Sequence, residues 1–376
     1  MSPDVYNSYM AVDLNKLKSN FEKIRACVGS GVEVIPILKG NAYGLGGVGL
    51  AKFYAGTLGS KMIGVAHVRE AAELREAGIS CELLVLGGAP FNNIPAAVAY
   101  SIQTTAFERE YVDLLDREAE KQGKIAEIQI KINTGLNRIG VKPGEELTNF
   151  VRYIKTKTHI KVRGAFTHFA ASHIEDHSLT LGQFELFKQA IGEIKACGVE
   201  LDYIHACNGC AAVWFSEAYG TAVRPGNLLF GYDNNEKPKN ALGVEPAVTW
   251  RCFVTQLRTL QPGESIGYNR YFIAKEPIRV ATISVGFGDG YYRPMLMGGG
   301  FALVNGKRCR FLATSMDQTW LEIDGVTNVA LNNEVTLLGK DGDDELTVYD
   351  WRKFCGESIV FLSSIISNRV ERVFLS

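Results

Sequence analysis

A sizeable net charge, a signal-peptide pattern, a disulfide-like cysteine framework and internal repeats are not seen in this sequence, and each absence argues against a class of function. The 40 lysines and arginines are balanced by 41 aspartates and glutamates, so no electrostatic field draws the chain to nucleic acid or to an anionic membrane. Small molecules become the default partner. The uncharged stretch from Leu83 to Phe107 is long enough to span a bilayer, but Gly87, Gly88, Pro90, Asn92, Asn93 and Pro95 break it, and no membrane contact is expected within this chain. No basic start followed by an apolar run marks a signal peptide. The eight cysteines are scattered through a chain far too long to need disulfide staples, which favours reduced thiols in a cytosol. Cys207 and Cys210 make a C-x-x-C with no second pair nearby, so neither zinc nor any other metal is expected.

What is present is an ordinary globular composition, 46% hydrophobic and 22% charged over 376 residues, long enough for two domains or for a large barrel with an appendage. From Asp13 the apolar residues Leu14, Leu17, Phe21, Ile24 and Val28 recur at helical spacing behind a carboxylate able to cap the first turn. Apolar runs at 33–38, 62–66, 82–86, 101–104, 126–132, 161–167, 202–205 and 221–224 then alternate with helix-like stretches at 68–78, 108–122, 144–157 and 179–197. Eight strand candidates separated by helices predict an α/β fold, a (β/α)8 TIM barrel over residues 1–242, with a doubly wound open sheet as the rival. Beyond Gly243 strand-like runs at 247–260, 278–285, 301–304, 319–323 and 334–338 are joined by Gly- and Asp-bearing turns, predicting a mostly β C-terminal domain over 243–376.

In a barrel, chemistry belongs at the C-terminal ends of the strands. At one such end, Ile35-Pro-Ile-Leu-Lys-Gly-Asn-Ala-Tyr-Gly44, an apolar strand stops at Lys39 and passes into a Gly-rich loop. A partly desolvated amine there is a candidate Schiff-base former; on the local pattern alone, a strand-end lysine snorkelling to solvent is the simpler reading. Gly44, Gly46 and Gly49 also satisfy G-x-G-x-x-G, but the next strand ends at Ala66-His67 without the acidic residue that would hold a ribose, which argues against a dinucleotide site.

The segment Leu38-Lys39-Gly-Asn-Ala-Tyr43-Gly-Leu-Gly46 resembles the cofactor-lysine motif of the alanine racemases, pyridoxal-phosphate enzymes of fold type III. Further segments resemble that family in order and spacing: Lys131-Ile-Asn-Thr-Gly-Leu-Asn-Arg138, Thr167-His168-Phe-Ala, His205-Ala-Cys-Asn208 and Arg224-Pro-Gly-Asn-Leu-Leu-Phe-Gly-Tyr232, then Gly263-Glu-Ser-Ile-Gly-Tyr268, Val285-Gly-Phe-Gly-Asp289 and Met316-Asp317-Gln318. The family's architecture, a barrel followed by a β domain, is similar to the one that periodicity suggests.

The resemblance implies an amino-acid racemase that uses pyridoxal 5'-phosphate. Lys39 and Tyr268 would be the catalytic pair, bases on opposite faces of the substrate Cα. Lys39, Tyr43, His168, Asn208, Arg224, Gly226 and Asn227 would bind the cofactor. In that set His168 stacks on the ring and supports Tyr268, while Tyr43, Asn208 and the amides near Gly226 and Asn227 hold the phosphate. Arg224 would face the pyridine nitrogen, where a guanidinium, unable to accept a proton, limits the electron sink and distinguishes racemases from decarboxylases. Arg138, Met316 and Asn368 would contact the substrate, supported by Asp317 and by Lys131, a position often carboxylated in the family. A homodimer is implied, Tyr268 and Met316 of each subunit completing the other's site. A non-catalytic pyridoxal-phosphate carrier is opposed by the β domain that bears these residues.

Three departures from the family pattern stand out. Gly209 replaces a serine that usually contacts the phosphate, so the anion's contacts should be rearranged. His173 and Ala313 replace an aspartate and an arginine of the substrate corridor. Asn368 replaces a tyrosine that walls the pocket, making room for a hydroxymethyl group and offering it a donor and an acceptor. The chain thus most resembles the racemase domain of the membrane-bound serine racemases of vancomycin resistance. L- and D-serine together with L- and D-alanine are the expected substrates, with D-serine for resistant cell-wall precursors as the product; a housekeeping alanine racemase making D-alanine for peptidoglycan is the alternative. The expected location is the cytoplasm, either as a free enzyme or as the cytoplasmic part of a longer anchored protein.

Overall fold

The computed structural model describes residues 6–235, 239–291 and 293–376. Contacts divide these into two compact units. One comprises Lys16–Ala42 and Gly46–Pro246; the other comprises the described residues up to Asn15, Tyr43–Leu45 and Ala247–Ser376.

The first unit is built on eight parallel strands. Six of them, Met62–Val65, Glu82–Val85, Gln103–Ala106, Ala126–Lys131, Ile160–Phe166 and Tyr203–His205, form one sheet in sequence order, and Glu33–Val34 pairs with Ala222–Val223. Parallel bridges Ile37↔Gly64 and Asn208↔Arg224 close the ring, which makes it a (β/α)8 barrel rather than an open sheet. The strands are short, and Met62–Val65 and Gln103–Ala106 are buried along their whole length. The strand expected at 101–104 begins at Gln103 instead, because Ser101 N and Ile102 N bond back to Val98 O and Ala97 O and end the helix Ile94–Ala99 there. The first helix, Leu14–Val28, buries Leu17, Phe21, Ile24 and Val28 as the periodicity predicts.

The chain's first strand, Ser8–Asp13, does not belong to the barrel, contrary to the 1–242 boundary. It pairs antiparallel with Val248–Leu260 and parallel with Glu371–Leu375 in the second unit. Its alternating burial marks it as a sheet strand, but the helical period that starts at Leu14 masks so short a run.

In the second unit six strands, Val248–Leu260, Ile278–Ile283, Thr319–Glu322, Lys307–Thr314, Phe301–Val304 and Glu334–Asp341, form a closed ring, since the last pairs back onto the first. Val248–Leu260 serves both sides of this ring because its register shifts at Trp250/Arg251 and again at Val254/Gln256, bending the strand between two sets of partners. Trp250, Tyr291 and Trp351 pack edge to face or tilted at 5.8–6.2 Å in its core. Helices Val348–Cys355 and Ile359–Ser364 interrupt what reads as β sequence; the reciprocal Thr347/Asp350 capping box is the signal for the first of them. Among the described residues, no helix is long and apolar enough to cross a membrane, and Leu83–Phe107 is spread over two strands and short helices.

Candidate active site

Lys39 ends the first barrel strand region, and the chain then makes a left-handed turn. Gly40, Asn41, Ala42 and Tyr43 have φ of 62°, 55°, 55° and 56°, and Ala42 N donates to Leu38 O at 2.7 Å. Each non-glycine residue held this way costs about 1–2 kcal/mol, so the turn exists only because other bonds hold it. Asn41 Oδ1 accepts from Gly47 N at 2.6 Å. The Glu70 carboxylate accepts from Gly40 N at 2.5 Å, Ala66 N at 2.8 Å and His67 N at 3.1 Å, tying the ends of two neighbouring strands together. Sequence reasoning missed Glu70; an acidic residue three positions after the strand-end His67 is the signal that could have found it. Burial lowers the Lys39 ammonium below its ordinary value, Arg138 and Arg224 push the same way, and Glu70 opposes them. Burial also raises the Tyr43 phenol.

Arg224 follows the last barrel strand and is 4% exposed. Its Nη1 donates to His205 O at 3.0 Å and lies 2.5 Å from His205 Nδ1; its Nη2 donates to Thr167 O at 2.7 Å and Ala206 O at 3.1 Å and lies 3.5 Å from His168 Nδ1. Phe166 forms the floor: the His205 ring stacks on it at 5.0 Å, and Lys131 Nζ and Arg224 Cζ lie 4.8 and 5.4 Å from its centroid. Thr167, itself bonded to Thr134 and Ile132 O, fixes the segment that carries His168. Burial pulls Arg224 down to about 10. Burial first and Arg224 second lower Lys131, His168 and His205 well below their ordinary values. Arg138 sits exposed on the loop after the Lys131 strand, a loop pinned by Val141 N to Lys131 O and Asn133 N to Val141 O; its charge contributes to lowering Lys39, Lys131 and His168.

At the ends of the last two strands, Asn208 caps the helix Gly209–Trp214, its Oδ1 accepting from Ala211 N and Ser172 Oγ. A Cβ at Gly209 would lie 2.2 Å from Pro225 O, so the Pro225–Gly226 loop has closed onto the place a serine would need. Gly226 and Asn227 open the 3-10 turn Gly226–Phe230, whose first amides have no intrahelical acceptor, and Asn227 Nδ2 is buried without a partner. Cys207 and Cys210, both pushed up to about 12 by burial, are inert thiols.

In the second unit Tyr268 is 78% exposed. It stands on a turn where Gly267, Asn269 and Arg270 have φ of 78°, 56° and 53°, tethered by Arg270 to Ser265 Oγ and Gly263 O. Ala313 is buried beneath that turn, against Gly267, and His173, in the first unit, is exposed. Met316 is 56% exposed. Its neighbour Asp317 accepts from Arg369 at 2.7 Å, and Arg369 also pairs with Asp289 at 3.1 Å, which anchors the exposed turn bearing Asn368. Lys39, Lys131, Arg138, His168 and Arg224 are thus gathered in the barrel, and Asp317 and the Asn368 turn in the β unit. Glu70 and Phe166, which sequence reasoning missed, and His205, which it met only as part of a motif, position this set from behind.

The barrel site holds several cations, with Glu70 the opposing carboxylate, and an unsatisfied buried amide at Asn227. Pyridoxal phosphate fits that donor set, bringing an aldehyde for Lys39 Nζ and a phosphate for the cations and free amides.

Fully buried His205 is held neutral while an unfolded histidine titrates near 6.5. Below that pH the unfolded chain takes up a proton that the native site refuses, so stability should fall by about 1.4 kcal/mol per pH unit from this residue. Urea midpoints at successive pH values should show it, and His205→Asn should flatten the slope; an unflattened slope would contradict the burial of a neutral ring.

Residues 12–234 match the family model for the alanine racemase N-terminal domain and residues 247–374 that for the alanine racemase C-terminal domain. The chain is 32% identical over 366 residues to alanine racemase 1 of Clostridium acetobutylicum, an alignment spanning 97% of this chain and 94% of that protein. The alanine racemase structure from Clostridium difficile 630 matches with a TM-score of 0.94 at 25% identity, over 99% of this chain and 96% of that one. The Bacillus anthracis alanine racemase with bound L-Ala-P matches with a TM-score of 0.93 at 29% identity, over 100% and 96%. With both halves of the chain matched in order and the barrel and β unit in place, this chain belongs to the alanine racemase family of pyridoxal-phosphate-dependent amino-acid racemases.

Proposed function

We propose that this enzyme interconverts L- and D-alanine, supplying D-alanine for peptidoglycan in the cytoplasm, and that serine is a second substrate. The observation that carries the reading is Arg224, a buried guanidinium among neutral neighbours where a decarboxylase would need a carboxylate for the pyridine nitrogen. The relatives quoted above are named alanine racemases, which supports alanine ahead of the serine racemases of vancomycin resistance. Serine rests on Asn368, whose exposed amide lies on a turn held by Arg369.

Pyridoxal phosphate, when bound, delocalises the charge left on Cα and so lowers the barrier to proton removal. Lys39 Nζ takes or returns the proton on one face of Cα, its ammonium lowered below the ordinary value by burial first and by Arg138 and Arg224. Tyr268 Oη does so on the other face. Arg138 orients the substrate carboxylate, and Tyr43, Asn208 Nδ2, Asn227 and the amides at Gly226 and Asn227 hold the phosphate. Gly209 contributes no hydroxyl there; it lets the Gly226 loop approach instead. Lys131, 3% exposed between two arginine charges, is suited to carboxylation, which would replace an unfavourable cation by an anion.

A strained turn that holds a phenol out in solvent, and an exposed methionine on another loop of the same unit, are both accounted for by a partner chain. The enzyme is therefore a homodimer in which Tyr268 and Met316 reach the partner's barrel site, and the interface is two-fold.

Purified enzyme should racemise L-alanine, and borohydride should fix the cofactor to a Lys39 peptide; label confined to another lysine would refute the assignment. Asn368→Tyr should depress kcat/KM for serine relative to alanine by about tenfold, the ratio for about 1.4 kcal/mol of lost differential stabilisation. An unchanged ratio would move selectivity elsewhere. Mixing inactive Lys39→Ala with inactive Tyr268→Phe subunits should restore activity as subunits exchange, since a mixed dimer holds one intact site; a fully active monomer would exclude the shared site.

A further inference from the structure

A file of side-chain hydrogen bonds crosses the interior of the barrel unit, a place ordinarily filled by branched apolar residues. From Arg224, 2.5 Å from His205 Nδ1, it passes to Gln129 Oε1, 2.6 Å from His205 Nε2. Gln129 Nε2 donates to Gln103 Oε1 at 2.8 Å, and Gln103 Nε2 donates to Glu82 at 2.7 Å and to Glu127 at 3.4 Å. Arg163 closes the far end with ion pairs of 2.9 and 2.7 Å to Glu82 and Glu127. Arg224 follows one strand and His205 ends another, whereas Gln103 and Glu82 begin theirs, so the file runs from the C-terminal to the N-terminal strand ends. His205, Gln129 and Gln103 are at most 1% exposed. Gly164 keeps the path open: a Cβ there would lie 3.1 Å from Gln129 Oε1 and 2.5 Å from Tyr203 O.

The far end dictates the polarity of the whole file. Carboxylates only accept, so Gln103 must turn its amide nitrogen toward Glu82 and its oxygen toward Gln129. Gln129 then presents its own oxygen to His205, which must carry its proton on Nε2. Nδ1 is left as a lone pair, and a lone pair is what the Arg224 N–H requires. Were His205 protonated on Nδ1, two N–H groups would face each other in a medium that strengthens their repulsion, and Arg224 would be driven from its place.

We propose that Gln129, Gln103 and the Glu82–Arg163 pair are positioning residues for racemisation, fixing the proton on His205 and through it the aim of Arg224. The inference rests on the reading of Arg224 as the group facing the cofactor ring. Burying two neutral amides end to end is costly unless every donor and acceptor is satisfied, and here each is matched to one orientation.

The test observes the His205 ring nitrogens by nitrogen-15 NMR in cofactor-free protein and follows, in the holoenzyme, the fraction of L-alanine turnovers diverted to pyruvate by half-transamination, in which the cofactor's aldehyde takes the amino group and leaves as its amine form. Wild type should show one protonated and one bare nitrogen. Gln129→Met removes the acceptor with little change in volume, and the two signals should move toward each other as tautomers mix. Gln129→Glu should draw a second proton onto the ring. Glu82→Gln, at the partly exposed base, should give the Gln129→Met pattern more weakly and guards against misfolding of the buried variants. In each variant that shifts the ring signals, diversion to pyruvate should rise by up to about tenfold, the scale for losing one charge-assisted hydrogen bond. Unchanged ring signals in all variants would overturn the proposal. Shifted signals with unchanged diversion would overturn it too, and Arg224→Lys then separates the causes: an altered diversion keeps the reading of Arg224 and removes only the file, while no change removes both.

Discussion

The burial of one guanidinium governs the barrel's mouth. Removing Arg224 from water costs several kcal/mol, and the structure offsets this with carbonyls of Thr167, His205 and Ala206 that follow or end two adjacent strands. The strand ends must therefore stop where they do. The charge also forbids company: Lys131, His168 and His205 are all driven toward their neutral forms by burial and by Arg224. A fixed cation ringed by neutral bases suits an anionic cofactor.

The same economy explains the Lys39 turn. Four successive residues in the left-handed region, three with side chains, are untenable for a free loop. Glu70 and Asn41 accept from Gly40 N and Gly47 N, and Ala42 N and Gly46 N bond to Leu38 O and Asn41 O, so the loop after Lys39 is held in its strained form by its own hydrogen bonds. Glu70 thereby acts on Lys39 twice, through the backbone and through its charge.

The Gly209 departure has a structural answer rather than a chemical gap. The Pro225 carbonyl occupies the volume where a serine Cβ would stand, and Gly226 and Asn227 follow it at the start of a 3-10 turn. One hydroxyl is exchanged for a closer backbone. In the β unit, the Tyr268 turn shows the opposite arrangement, strain spent on holding a side chain away from its own unit's core.

Much of this was legible in the sequence. Alternating apolar runs and helical periods determined the eight barrel strands, because strands buried on both faces and helices buried on one leave different periods; the motif around Lys39 and its companions named the family. Ser8–Asp13 was not legible as a β-unit strand, since its partners lie some 240 and 360 positions away, nor were the helices 348–355 and 359–364 within a β-like region. Gln129 and Gln103 looked like unremarkable strand residues. Their meaning is set by which atoms face which across neighbouring strands, and Glu70 likewise matters only because folding brings three amides to its two oxygens. The sequence by itself determined where the chain can be helix, strand and cofactor loop, since those depend on local periodicity and residue chemistry; only the tertiary structure decided which protons sit where between Arg224 and Glu82, since that depends on donors and acceptors brought together from distant strands in a medium where an unmatched pair is costly.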